Sequence, residues 1–240
     1  MHPHAHYEHL AKLFDYPWVD YPRWVQSAYD RLAGRYVLAA AHIAEFAQLL
    51  PTEGGPLTQE ALDEVQEIFT RSFDVQAVTT LSVGYLMFGD DYKRGELLVN
   101  LRREQRDVDI DGGTELPDHL PNVLRLMARW QDRELAREFV EEVLHPAVEQ
   151  MIGEFDARRT AAREELYRKH YKTLIVTSPE RGNMFQLPLE ALREVLKVDF
   201  DPPEYRPLDK SGDFLQGLQQ ELEIEKLEDG PATTPSARLP

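Results

Sequence analysis

Apolar residues return every three or four positions through most of this chain, and that period commits it to amphipathic helices. Leu32, Tyr36, Ala39, Ala40, Ile43, Phe46 and Leu50 make one stripe. Leu62, Val65, Ile68, Phe69 and Phe73 make another, and Leu135, Phe139, Val143, Val148, Ile152 and Phe155 a third. Strand signals are scarce: 174–176, and the β-branched residues Val78, Thr79, Thr80 and Val83 within an otherwise helical neighbourhood. The fold class that follows is all-α, a single helical-bundle domain with an irregular, partly disordered C-terminal extension.

Punctuation sets the expected elements. A short helix over 7–14 stops at Asp15-Tyr16-Pro17. Pro22 suits the first turn of a helix, where its missing N–H costs nothing, and that helix should run to Leu50. Pro51 and the Gly54-Gly55-Pro56 run end it, and Thr58 is the expected N-cap of 59–73. The segment 75–88 is apolar almost all round, as a buried central helix would be. Gly89-Asp90 reads as a turn, 91–106 as a charged helix, 107–117 as a loop and 118–130 as a helix. The long pattern over 132–155 contains Pro146, whose ring removes a hydrogen bond and clashes with the preceding turn at a cost of ~3 kcal/mol, so a kink is expected near His145. A charged helix over 157–174 and a short one over 187–196 complete the reading. The organisation expected is a mobile 1–6, a helical domain 7–175, an extension 176–198 with a short helix, and an acidic, proline-containing, largely disordered tail 199–240.

Composition removes several functions. The 240 residues include no cysteine, so disulfides, thiolate metal sites and thiol catalysis are excluded. The net charge of −16 repels phosphate backbones and attracts basic partners. No secretory leader is visible at 1–9, and no apolar stretch approaches the ~20 residues of a membrane span. These features predict a cytoplasmic protein without nucleic-acid binding or membrane insertion.

Four constellations could carry chemistry. Asp107, Asp109, Asp111, Gly112 and Asp118 imitate a calcium loop, but the twelfth position is Asp, Pro117 precedes it and no second loop exists, so a solvated acidic loop is the better reading. Glu142 and His145 share one helix face, as di-iron ligands would, but a ferritin-like site needs a second such motif and two further glutamates. His2, His4, His6 and His9 could bind nickel, copper or zinc, although a weakly structured terminus with adventitious affinity is the simpler reading, and no metal is assigned. In Glu115-Leu-Pro-Asp118-His119-Leu-Pro121, Pro117 suits a helix start. Asp118 would then cap it, or receive an arginine or lysine from a peptide.

This last motif resembles the hallmark of the TorD/NarJ family of redox-enzyme maturation chaperones. Phe69-Thr-Arg-Ser-Phe73-Asp74 resembles that family's aromatic element. Gly89-Asp-Asp-Tyr-Lys-Arg-Gly95 and the opening Tyr7-Glu-His-Leu-Ala-Lys-Leu-Phe14 with Asp-Tyr-Pro17 are similar to its nitrate-reductase delta-subunit branch. The family form has proline directly after the glutamate, where Leu116 stands here, and Arg125 occupies a place often acidic in the branch.

The resemblance implies an all-helical chaperone that is not an enzyme. It would bind the N-terminal or twin-arginine-like segment of an apo molybdopterin oxidoreductase of the dimethyl-sulfoxide-reductase class, assisting cofactor insertion before export or membrane docking. Molybdopterin guanine dinucleotide would belong to the client, with no cofactor held stably by the chaperone. Cofactor-insertion proteins are further expected partners, and the state is monomer or homodimer. Glu115, Asp118 and His119 would form the client site. Phe69, Phe73, Asp74 and Tyr85 are added as neighbouring contacts, with the aromatic rings as core residues or apolar anchors. Two rival classes are a metal-dependent helical enzyme and a general helical adaptor.

Overall fold

The computed structural model describes residues 4–52, 54–156 and 181–205. Among these the chain is all-α, and the only β-type pairing is an isolated antiparallel bridge between Ser82 and His119. The helices are α1 (His6–Ala11), α2 (Tyr21–Leu32), α3 (Val37–Leu49), α4 (Gln59–Phe73), α5 (Val83–Phe88), α6 (Tyr92–Asp107), α7 (Leu120–Arg129), α8 (Arg133–Phe139), α9 (His145–Glu154) and α10 (Gln186–Phe200). No helix among the described residues is long and apolar enough to cross a membrane. The expected helix over 157–174, the strand candidate 174–176 and the tail from 206 lie outside the described residues.

Local chemistry sets the boundaries. Thr58 caps α4 as expected, its hydroxyl accepting the Ala61 N–H at 3.3 Å. Asp91 caps α6 and Asp132 caps α8 in the same manner. Gly89 ends α5 at φ 61°, a left-handed conformation that a side chain would strain.

Three expectations are corrected. The helix predicted from Pro22 to Leu50 is two helices, broken at 33–36. Gly34 weakens the helix there, and folding back lets α2 and α3 pack together, so that Leu32, Tyr36, Ala39, Ala40, Ile43, Phe46 and Leu50 are all buried. The predicted central helix 75–88 is helical only from Val83. Upstream, Gln76 turns to φ 51°, and the amides of Val78 and Thr79 bond the carbonyls of Arg71 and Ser72 at the end of α4. The β-branched run resists helix, and its backbone finds partners elsewhere. Finally, the segment assigned to an extension is part of the core. α10 packs on α3 and α9, burying Leu189, Leu192, Val195, Leu196 and Phe200, and it carries Asp199 inside the helix rather than in a tail.

The kink near His145 is present in a specific form. Five residues, Val140–Leu144, make a π-helical turn between α8 and α9, and Pro146 falls in the first turn of α9. Widening the helix there absorbs the proline's missing donor and its steric clash.

The core is joined by an aromatic chain. Phe69, Phe73 and Phe185 meet with ring centroids 5.1–5.5 Å apart, and Phe46, Phe14 and Phe155 extend the cluster.

Candidate functional site

A cleft of about 730 Å³ opens where five pieces of chain converge. Phe14, Asp15 and Tyr16 follow α1. Phe69, Phe73 and Asp74 close α4. Residues 80–82, the loop before α7 and the first turns of α7 supply the rest.

Each wall has a local cause. The loop after α6 is held by two amide side chains: Gln105 donates to the Pro117 carbonyl at 2.8 Å and Asn122 to that of Leu116 at 3.2 Å. The strand-like pairing across Ser82 and His119 then fixes the other side, with Val83 N–H on the Asp118 carbonyl at 3.0 Å and Leu120 N–H on that of Leu81 at 2.8 Å. Together these bonds carry Glu115 and His119 to the cleft rim. The floor is aromatic. Phe69 and Phe73 each pack into the core and line the cleft, and the exposed Tyr16 meets Phe69 edge-on at 5.6 Å.

The lining is acidic. Asp15, Asp74, Asp111 and Glu115 face one arginine, Arg125, and that guanidinium is bound to Asp15. His119 is half-buried, and burial lowers its pKa against the opposing pull of Glu115, Asp15 and Asp118, which keeps the imidazole neutral near pH 7. A concave, greasy floor under a negative rim suits an apolar segment with basic residues.

Five of the seven residues singled out from the sequence meet in this cleft: Glu115, His119, Phe69, Phe73 and Asp74. The other two do not line it. Asp118 is fully buried, its carboxylate 3.0 Å from the Arg94 guanidinium, so the expected contact with a client arginine is already made within the chain. Tyr85 lies under the same Arg94, 5.3 Å from its guanidinium carbon. Gly84 makes the arrangement possible, because a side-chain carbon there would fall 2.8 Å from the Asp118 carboxylate. Arg125, which the resemblance set at a place often acidic in the branch, lines the cleft, whereas Asp15 and Tyr16 were missed as lining residues. Asp15-Tyr16-Pro17 was legible as a helix stop, but nothing in the sequence says that a stop faces a cleft.

The other constellations resolve simply. The carboxylates of 107–118 do not converge: Asp111 bonds the Gly113 amide and Asp118 holds Arg94. His145 is buried 3.3 Å from Glu149 rather than paired with Glu142. Of the N-terminal histidines, His2 lies outside the described residues, and His4, His6 and His9 are held in place rather than forming the mobile cluster expected. His6 is buried against Asp199 at 2.8 Å, His4 lies 3.6 Å from the same carboxylate, and His9 turns to Ser27 at 2.9 Å.

No protein-family model, curated protein or solved structure matches the chain significantly.

Proposed function

We propose that this protein is a non-catalytic chaperone whose acidic cleft receives a basic, partly apolar segment of another protein, and that its client is the apo catalytic subunit of a molybdopterin oxidoreductase. The observation that carries the first half is the cleft itself, with four carboxylates and one already paired arginine around a phenylalanine floor. The second half rests on the order of the sequence motifs: the Tyr7–Phe14 opening, Phe69–Asp74, Gly89–Gly95 and Glu115–Pro121, three of which contribute residues to the cleft.

In this reading the phenylalanines and Tyr16 take the apolar side chains of the client and supply most of the affinity. The rim carboxylates set register and speed encounter with a basic segment, helped by the −16 net charge. Neutral His119 accepts or donates a hydrogen bond without adding positive charge. No bond is made or broken by the chaperone.

The test is binding of a fluorescent twin-arginine-type leader peptide to the full chain, read by anisotropy. A dissociation constant of about 10 μM or tighter is expected, as for a peptide in an apolar groove. Binding should weaken with salt, and by about threefold for Asp74→Asn or Glu115→Gln. Salt-independent binding, or no binding, refutes the cleft assignment. Copurification of the chain from its own cells tests the client: absence of any molybdopterin subunit favours a general adaptor.

A further inference from the structure

Beside the Tyr7–Phe14 opening, the first described residues are joined to the last helix by a cluster of side chains of metal-ligating type. His4 and His6 flank the start of α1, and Asp199 lies in the last turn of α10. One ring nitrogen of His4, one of His6 and one oxygen of Asp199 all lie within 4.8 Å of one another. We propose that His4, His6 and Asp199 form a binding site for a divalent transition-metal ion, with zinc as its occupant.

The division of labour on Asp199 supports this. Its Oδ2 faces both imidazoles, at 2.8 Å from His6 Nε2 and 3.6 Å from His4 Nδ1. Its Oδ1 faces away from them, accepting the Tyr36 hydroxyl at 2.7 Å and the Arg35 guanidinium at 3.0 Å. A carboxylate that ligates through one oxygen and is oriented by hydrogen bonds at the other is the arrangement that metal sites use. Ligand atoms on a tetrahedral zinc stand ~3.3 Å apart, given zinc–nitrogen and zinc–oxygen distances near 2.0–2.1 Å. The two observed separations bracket that value.

The imidazoles are oriented in advance. His4 stacks on Phe200 with ring centroids 5.5 Å apart, and His6 sits between Tyr7 at 4.4 Å and Tyr36 at 4.9 Å. Two polar atoms in this buried pocket have no hydrogen-bond partner: His4 Nδ1, the nitrogen turned to Asp199, and the hydroxyl of Tyr7. Buried polar atoms without partners are uncommon and costly, and a cation on His4 with a water beside Tyr7 would satisfy both. Two imidazoles and one carboxylate suit zinc or another late first-row ion and leave a position for that water. Arg35 is the only cation bonded to the carboxylate among the described residues. It is 59% exposed, bound on the far oxygen, and free to move into solvent when the ion enters. Binding puts the metal in place of the hydrogen bond between His6 and Asp199, the proton of that bond passing to the other ring nitrogen of His6 or to solvent, and ties His4 and His6 to α10.

The experiment uses the full chain, purified without a histidine tag and stripped with EDTA. Zinc chloride alone is titrated by calorimetry, with cobalt(II) absorption as a second readout. One equivalent is expected to bind and to raise Tm. His4→Ala and Asp199→Asn should each weaken binding by roughly tenfold or more, while His2→Ala and His9→Gln leave it unchanged. His4 is partly exposed near the chain's start, so His4→Ala keeps the fold even if Asp199→Asn does not, with circular dichroism as the check. The proposal is overturned if the unaltered chain takes up no zinc, if His4→Ala binds zinc as well as the parent, or if His2→Ala or His9→Gln abolishes binding.

Discussion

Asp118 and Arg94 form an ion pair at 3.0 Å in which the carboxylate is fully buried and the arginine side chain is 17% exposed. The pair ties α6 to the loop that enters α7, next to the bridge that positions His119. Asp118 is thus a support of the cleft and not a surface of it.

Breaking this pair should therefore unfold rather than merely disarm. Arg94→Met strands a buried carboxylate and is expected to cost about 3 kcal/mol, as losing one partner of a buried pair does. Gly84→Ala should also destabilise, because the new methyl meets the same carboxylate at 2.8 Å. Urea denaturation of both variants measures this.

Arg125 acts in the opposite sense on binding. It neutralises Asp15 at the cleft wall, and both groups are partly exposed. Arg125→Ala should change stability by less than about 1 kcal/mol, the usual range for such pairs, while leaving four uncompensated carboxylates around the cleft. A basic peptide is then expected to bind more tightly, by about threefold at low salt, with a steeper salt dependence. Anisotropy titrations at two ionic strengths decide it.

Tyr16 separates groove from core. Phe69 and Phe73 are buried, so truncating either should cost about 3–5 kcal/mol and confuse the readout. Tyr16 is 56% exposed and touches Phe69 only at its edge. Tyr16→Ala should leave the melting curve nearly unchanged and weaken peptide binding severalfold.

His119 predicts an acid-side loss of stability. Burial lowers its pKa in the folded protein, whereas the unfolded chain takes up the proton near pH ~6.5. The unfolded state therefore binds more protons in that window, and stability falls as pH drops from about 6.5 through the lower folded value. His119→Gln should reduce the slope there, the remainder coming from His9, whose pKa burial also lowers. Glu149, held low by the His145 imidazole 3.3 Å away, contributes its own loss only further down, as pH falls through the carboxylate range. Chemical denaturation at pH 7.5, 6.5 and 5.5 separates the two.

Thr58→Ala removes the side-chain cap of α4, whose last turn carries Phe69 and Phe73 to the cleft. A loss of about 1 kcal/mol is expected in thermal or urea melts.

Much of this was legible in the chain because the information is local. The apolar period gave the helices and, apart from the exposed Leu135, their buried faces, Thr58 announced a cap, and Pro146 announced a distortion. Helix breaks without a strong local signal were missed. Gly34 alone did not foretell the turn between α2 and α3, and 75–82 looked helical because its apolar content reflected burial rather than conformation.

What periodicity and spacing could determine by themselves was therefore the kind of element and the face it buries, since both follow from residues a few positions apart. Tertiary structure alone decided which charged groups are surface and which are buttress: Asp118 went to Arg94, Asp15 to Arg125, and the imidazoles of His4 and His6 to Asp199, 193 residues from His6. Such pairings depend on how helices pack, and packing brings together residues whose separation along the chain carries no signal.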